Sequence, residues 1–412
     1  MAPIAVVGLG KLGSVFATCM AAAGHHVRGI DTNPDIIKAL KAGKAPVAEP
    51  GLGDLLASLR STERLVVGKS YYAALENTEA AFIVVPTPSD ETGRFSDRFV
   101  EAAVAEVHAC THQNYLIVVC STVQPGTMGR LAAAWPDRQI AYAPQFIALG
   151  SVISDLRHPD LVVIGSESRR AAARVESLLD PLWRDGDAHR AYPYVARLSL
   201  ADAEIAKLAV NAYVTMKISF ANTIAEACEA TPGANAKRVL QAVGADRRVG
   251  RHYLQAGGPY GGPCFPRDTV AIGRWFAECG VPADLARATE DVNNRQATRI
   301  AEMLKPYDRV AVLGLTYKPG TPITEGSLGL AVARRLQSDG TTVFWHDPLA
   351  DVNNARLLTA EETIARADAV LVATAHPEYR LLDCQGKPTV DVWGILSPDA
   401  PNVRTIGRWV LA

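Results

Sequence analysis

The stretch Ile4-Ala5-Val6-Val7-Gly8-Leu9-Gly10-Lys11-Leu12-Gly13 decides how this chain is read. An apolar, largely β-branched run enters a G-x-G-x-x-G turn, and a helical pattern follows from Ser14 to about Ala23. The next run, Val27-Arg28-Gly29-Ile30-Asp31, predicts a second strand ending in an acid, roughly 20 residues past the glycines. Gly8, Gly10 and Gly13 allow a tight turn and close approach of backbone to a pyrophosphate, with Lys11 and Leu12 carried in the same turn. The helix N-terminus then faces the phosphate charge. Asp31 is placed to accept hydrogen bonds from both ribose hydroxyls and to repel a 2′-phosphate, which predicts NAD rather than NADP.

Moving outward, Ala80–Val85, Leu116–Cys120 and Leu161–Gly165 are continuous apolar runs separated by helical stretches, the pattern of a parallel sheet covered on both faces. Two of them end in polar or proline-bearing turns, Pro86-Thr87-Pro88 and Ser121-Thr122-Val123-Gln124-Pro125. Ligands of open α/β sheets sit beyond the carboxyl ends of the strands, so Pro86, Thr87, Ser121 and Thr122 are expected to line a cofactor crevice. From about Ala196 to Ala230 the pattern is helical, with no strand signal. Lys207 and Asn211 stand four apart there, hence on one helical face. Lys207 lies among apolar neighbours, so it is either a functional ammonium or a surface lysine snorkelling along its own helix. The last third begins again with a strand and turn, Arg309-Val310-Ala311-Val312-Leu313-Gly314-Leu315-Thr316-Tyr317-Lys318. Further strands at Thr342–Pro348, Ala369–Thr374 and Thr389–Trp393 complete a second, smaller doubly wound sheet. It lacks a G-x-G-x-x-G, so it should hold something other than a second NAD. Lys318, at a strand's carboxyl end, is a candidate phosphate or sugar contact.

Between the two sheets lies Gly257-Gly258-Pro259-Tyr260-Gly261-Gly262-Pro263-Cys264-Phe265-Pro266-Arg267-Asp268. A helix is predicted from about Pro266 to Cys279, with proline in its first turn and Gly280 after its end. A thiol at a helix N-terminus faces unpaired N–H groups and the positive end of the dipole, which favours the thiolate. Cys264 is therefore the candidate nucleophile. Cys19, Cys120 and Cys228 lie in apolar segments and read as small core residues, and the seven cysteines show no spacing for zinc or disulfides.

A chain of 412 residues requires more than one core. Its formal net charge of −1 and lack of a basic tract argue against nucleic acid or an anionic membrane as partner. The start runs straight into a strand, and no apolar run reaches spanning length, so a cytoplasmic protein is expected.

Together these parts resemble the UDP-glucose/GDP-mannose dehydrogenase family over essentially the whole chain. The matching pieces are the glycine turn with Asp31, Glu49-Pro50-Gly51-Leu52, Val85-Pro86-Thr87-Pro88, Ser121-Thr122, Lys207 with Asn211, Gly261 to Asp268, and Gly314 to Pro319. The resemblance implies an NAD-binding Rossmann domain (1–195), a central helical dimerisation domain (196–299) and a C-terminal nucleotide-sugar domain (300–412). It implies a four-electron oxidation of a sugar primary alcohol to a carboxylate, most simply of a UDP-hexose such as UDP-glucose, with two NAD and a Cys264 thiohemiacetal and thioester. By the same resemblance Lys207 and Asn211 serve developing oxyanions, Asp268 works with the lysine on the hydrolytic water, and Thr122 lies near the reacting carbon. Gln145, Phe146, Lys207, Asn211, Arg248, Tyr253, Gly261 and Lys318 are its substrate-binding set, and Arg248 reaches the sugar of the partner in a homodimer.

The chain also departs from the family. Ala143-Pro144-Gln145-Phe146-Ile147-Ala148-Leu149-Gly150 carries Gln145 and Leu149 where the family has carboxylates. Glu325 and Trp393 each replace an arginine. These changes leave two other expectations to weigh: a two-electron β-hydroxyacid-type dehydrogenase, and a catalytically idle nucleotide-sugar-binding homologue.

Overall fold

The computed structural model describes residues 3–184, 191–350, 358–397 and 402–408. The chain forms two compact units, Met1–Ala209 and Val210–Ala412. The first is built on β1 (Pro3–Val7), β2 (His26–Ile30), β3 (Leu65–Gly68), β4 (Ala80–Ile83), β5 (Leu116–Val119), β6 (Gln139–Tyr142), β7 (Leu161–Gly165) and β8 (Tyr194–Leu198). They form one sheet in the order β3-β2-β1-β4-β5-β6-β7-β8. Alternate residues go to opposite faces. Ile4, Val6, Phe82, Leu116 and Val118 join one core, while Ala5, Val7, Ala81, Ile83, Ile117 and Val119 join the other. Both faces are therefore apolar, and each fully buried Val, Leu or Ile contributes about 1.5–3 kcal/mol.

Two expectations need correction in this unit. β7 pairs with β6 antiparallel, not parallel. The helix between them, Val152–Arg157, has six residues and rises about 9 Å. Residues from Ala196 are also not all helical. Tyr194–Leu198 forms β8, the edge strand, in parallel register with β7, and the long helix starts at Leu200 and runs to Glu229.

The second unit contains β9 (Arg309–Leu313), β10 (Thr342–His346), β11 (Ala369–Val372), β12 (Thr389–Asp391) and β13 (Val403–Thr405), all parallel in the order β10-β9-β11-β12-β13. Ala221, Ala225 and Cys228 of the long helix and Ile300, Ala301 and Leu304 of the helix Asp284–Leu304 pack with Val310, Val312, Leu371 and Val390 on one face. Ala311, Leu313, Val370 and Val372 fill the other.

The centre of this sheet repeats that of the first. β9 is flanked by β10 and β11 as β1 is by β2 and β4. Gly314 follows β9 with φ +101°, as Gly8 follows β1 with φ +88°. At each, a Cβ would come within 2.5 Å of the neighbouring strand's turn, at Thr374 and Val84 respectively. A second glycine opens the following helix in both, Gly13 and Gly329, and each lies against the carbonyl of the first. The two turns differ in length. Gly8 to Gly13 is five positions, and Gly314 to Gly329 is fifteen.

Candidate active site

The first glycine turn suits a dinucleotide pyrophosphate. A Cβ on Gly10 would meet nothing within 4 Å, so the backbone there is open to a ligand. The helix Gly13–Ala22 begins without a side-chain cap and with no acid in its first turn, leaving its N–H end for an anion. Asp31 takes hydrogen bonds from Leu9 N (2.6 Å) and Asn33 N (2.7 Å), which aims the carboxylate at the turn and leaves lone pairs for ribose hydroxyls. Lys11 is exposed and Leu12 packs against the core.

The turns after β4 and β5 brace each other. Ser121 Oγ donates to Val85 O at 2.7 Å, and Thr87 Oγ1 donates to Thr122 O at 2.7 Å. Both hydroxyls are buried in this role, while Pro86 stays exposed beside them and Thr122 is half-buried. A residue the sequence reading missed fixes this corner from the other side. Glu204 is 0% exposed and accepts from Gly126 N (2.8 Å) and Met128 N (2.6 Å), closing the N-terminus of the helix Thr127–Ala134. Burial raises its pKa above the usual carboxylate value, opposed by those N–H groups. A glutamate inside an apolar helical run, three residues before Lys207, was the available signal.

Lys207 is buried, so the snorkelling alternative is set aside. It is 6% exposed, its Nζ donates to Gln145 O at 2.9 Å, and it stands 4.4 Å from the centroid of the Phe146 ring. Gln145 Nε2 donates to Ala143 O at 2.8 Å. Leu149 packs at the margin of the core beneath the first sheet, so an apolar residue there has a packing role. Glu49, from the Glu49-Pro50-Gly51-Leu52 motif, ties down the far end of the segment through Gly150 N (2.8 Å) and Val152 N (2.7 Å). Cys120 is no rival nucleophile, because burial pushes its thiol up to about 12.

In the second unit Cys264 is exposed and occupies the N-cap of the helix Phe265–Glu278. One turn on, Asp268 is 1% exposed and accepts from Asn211 Nδ2 at 2.6 Å, with Arg267 at 3.5 Å from its other oxygen. Thr215 and Thr269 hydroxyls meet at 3.1 Å beneath this pair.

The glycine-rich loop that delivers Cys264 is held by three buried amides absent from the sequence reading. Asn222 Oδ1 accepts from Gly257 N (2.9 Å) and its Nδ2 donates to Gly258 O (3.1 Å). Asn293 brackets Tyr260 by accepting from its N (2.7 Å) and donating to its O (3.1 Å), and Gln296 Nε2 donates to Gly257 O. Asn211, Thr215, Ser219 and Asn222 form one buried polar stripe on the long helix, a spacing visible in the sequence. Gly262 has φ +78°, and a Cβ there would come within 2.6 Å of the Tyr317 ring. Its N–H donates to Glu325 O at 3.0 Å, and Gly261 lies against Gly326. Burial pushes the Tyr260 phenol up to about 12, so it stays protonated near neutral pH.

The turn after β10 ends in Asp347, the counterpart of Asp31. It is occupied from within by Leu315 N (2.6 Å), Thr316 N (2.9 Å), Leu349 N, Ala350 N and the His376 ring at 3.1 Å. Burial alone would raise this carboxyl, but His376 and the N–H groups outweigh it and hold the group well below the usual range. The second sheet thus lacks a free ribose acceptor there, in keeping with the absent fingerprint. Lys318 is half-buried with Nζ 5.8 Å from the Tyr317 ring centroid. Arg248 is exposed and held by Asp246 (Nη2 to Oδ2 2.7 Å), on a loop whose Val249 and Gly250 carbonyls accept from Lys217. Tyr253, on the same loop, has φ +60° and is half exposed, its ring edge-on to Phe265 at 6.1 Å.

The family models of the UDP-glucose/GDP-mannose dehydrogenases match three segments: the NAD-binding domain at 2–183, the central domain at 201–295 and the UDP-binding domain at 311–398. A UDP-glucose 6-dehydrogenase of Haloferax volcanii is 34% identical over 406 residues, covering 92% of this chain and 93% of its own length. Among solved structures, a UDP-glucose dehydrogenase from Pyrobaculum islandicum superposes with TM-score 0.89 at 33% identity, covering 100% and 98% of the two chains. A UDP-D-ManNAc dehydrogenase from Pyrococcus horikoshii gives 0.85 at 25% identity, covering 98% and 99%.

Proposed function

Since this chain belongs to the UDP-glucose/GDP-mannose dehydrogenase family, we propose that it oxidises the C6 alcohol of a UDP-hexose, UDP-glucose foremost, to the uronic acid. Residues 1–195 bind NAD, 196–299 carry Lys207 and Cys264, and 300–412 hold the nucleotide sugar. NAD, when bound by the Gly8–Gly13 turn and Asp31, supplies the acceptor for the two hydrides that leave C6. Every other task falls to the chain itself.

Cys264 is the observation that carries this reading, because an exposed thiol is fixed at a helix N-terminus by a loop with little freedom to move. Its thiolate adds to the aldehyde carbon and retains it as a thiohemiacetal. After the second oxidation that carbon is a thioester, and water then cleaves the C–S bond, releasing the acid and returning the thiolate. The balance is one alcohol, one water and two NAD to one carboxylate, two NADH and three protons. Lys207, buried and bonded to Gln145 O, supplies positive charge to the oxyanions. Asn211 holds Asp268, and Asp268 takes the proton of the hydrolytic water, since Gln145 can orient that water but cannot deprotonate it.

A cytoplasmic homodimer belongs to the same reading. No helix among the described residues is long and apolar enough to cross a membrane. The long helix leaves Tyr213 53% and Phe220 48% exposed, seven apart and so on one face, and Arg248 projects from a loop pinned to that helix. Such a face fits a second copy, with Arg248 serving the partner's sugar.

The test is NADH formed per UDP-glucose consumed. Two equivalents are expected; one would indicate a two-electron dehydrogenase and none an idle homologue. Cys264→Ser should abolish release of acid, and wild-type acid production by that variant would end the thioester route.

A further inference from the structure

The loop that presents Cys264 rests on a side chain given no task so far. We propose that Trp393 is a positioning residue for the thiol: its indole is the surface on which Gly257 and Gly258 are laid, and it sets where Cys264 stands. A Cβ on Gly257 would lie 2.9 Å from Cε3 and Cζ3 of that ring, and one on Gly258 would lie 3.0 Å from Cζ2. Only two consecutive glycines let the backbone lie this close to an aromatic face. The indole is itself fixed. Its Nε1 donates to Ala373 O at 2.8 Å, in the turn after β11, and its own backbone N donates to Asp391 Oδ1 at 3.2 Å. Asp391 is 1% exposed and also gathers Gly394 N (2.9 Å) and Leu396 N (2.8 Å), so the whole turn after β12 is organised about one carboxylate.

The opposite side of the loop is gripped by amides. Asn222 and Gln296 hold Gly257 and Gly258 through their polar atoms, while the ring meets their Cα positions. Two surfaces thus close on two residues, six and seven positions before Cys264. Farther along, the turn after β9 takes hold at Gly262 through Tyr317 and Glu325 O. The loop is therefore clamped by the ligand-side turns after β9 and β12, with the β11 turn supporting the indole. An indole removed from beneath the glycines leaves a cavity into which the loop relaxes, and Cys264 leaves its place at the helix N-terminus.

The experiment compares wild type, Trp393→Ala and Trp393→Phe in the full-length protein. Labelling by iodoacetamide at neutral pH is followed by peptide mass spectrometry at three cysteines. Cys264 and Cys279 are both exposed, at opposite ends of one helix, and Cys228 is buried. In Trp393→Ala, labelling of Cys264 should slow about two- to tenfold as the thiolate loses its helix terminus, with Cys279 and Cys228 unchanged. Trp393→Phe keeps a ring beneath the glycines and should label within about twofold of wild type. In turnover, kcat should fall about 10- to 100-fold in Trp393→Ala with KM for NAD unchanged, the size expected when a reacting atom is displaced by an ångström. Cys264 labelling that is unchanged or faster in Trp393→Ala overturns the proposal. So does a joint rise at all three cysteines, which would mean general loosening, or a loss confined to KM for the nucleotide sugar. The turnover arm rests on the oxidation proposed above and the labelling arm does not. If wild type forms no NADH, that reading fails while labelling still decides the role of Trp393.

Discussion

Among the candidate site residues of the second unit, Asn211 and Asp268 are joined by a short bond between two side chains, and its strength can be worked from the structure. The Nδ2–Oδ2 distance is 2.6 Å, with Asp268 1% and Asn211 8% exposed. Arg267, beside the other carboxylate oxygen, is 3.5 Å away, at the limit of a hydrogen bond. A bond to a charged group contributes about 1.5–3 kcal/mol, and a carboxylate stripped of its partner in a dry site costs more. Asn211→Ala should therefore destabilise by about 3 kcal/mol. Asp268→Ala removes the charge and leaves only a neutral buried amide, costing about 1–2 kcal/mol. Once Asp268 is gone, loss of Asn211 removes nothing further, so the double variant should lie at about 1–2 kcal/mol and the coupling at about 3 kcal/mol. In a unit of this size each kcal/mol moves the melting temperature by about 2–4 °C, so Asn211→Ala should melt about 6–12 °C lower. The assay is urea denaturation of the four proteins, taking midpoints at constant m. Additivity within about 0.5 kcal/mol would refute the bond. Turnover gives a second check, because Asn211→Ala should lower kcat no further in an Asp268→Ala background.

Three other expectations follow from the geometry. Asp31→Ser removes the ribose acceptor and its negative charge, so kcat/KM should fall at least about tenfold with NAD and rise with NADP, measured side by side. Asp347 has a folded pKa held below its unfolded value, so its contribution is full above about pH 4 and is lost as pH falls through the folded value. Asp347→Asn should thus be less stable than wild type by about 2–4 kcal/mol at pH 7, with the gap closing below pH 4 in denaturant titrations; a gap independent of pH would refute the assignment. Replacing Tyr213 and Phe220 together by Asp should convert a dimer to monomers in sedimentation velocity, and an unchanged species would place the interface elsewhere.

The sequence made legible whatever repeats a strong local pattern. β1, β4, β5 and β9 are largely apolar runs of four or five residues and β2 and β10 mixed ones, all bounded by turn residues, and each was readable. β3, β6, β8 and β13 were not. β8 shows why, since its residues are half-exposed at a sheet edge and the long helix begins two positions later, so neither periodicity is clean. The reversed direction of β7 shows only in its pairing with β6, a contact distant in sequence, and not in the strand's own residues. Among the candidate site residues, Cys264, Lys207, Asn211 and Asp268 were legible because charge and sulfur in apolar or glycine-rich surroundings draw attention. Asn222, Asn293, Gln296 and Glu204 were not, because an amide or a carboxylate on a helix is ordinarily solvated. Only the fold discloses that these four are buried and bond to backbone.

The doubled plan of the chain has a chemical outcome. Where the first sheet keeps its acid available and its glycine turn short, the second has sealed the acid with an imidazole and stretched the turn by ten residues. A carboxylate withdrawn from ligand duty no longer requires a compact phosphate cradle beside it. The added length, carrying Tyr317 and Glu325, instead grasps the backbone that bears the sulfur. One arrangement of strands thus carries two different turns: the first leaves its acid and backbone open, and the second holds the loop that bears Cys264.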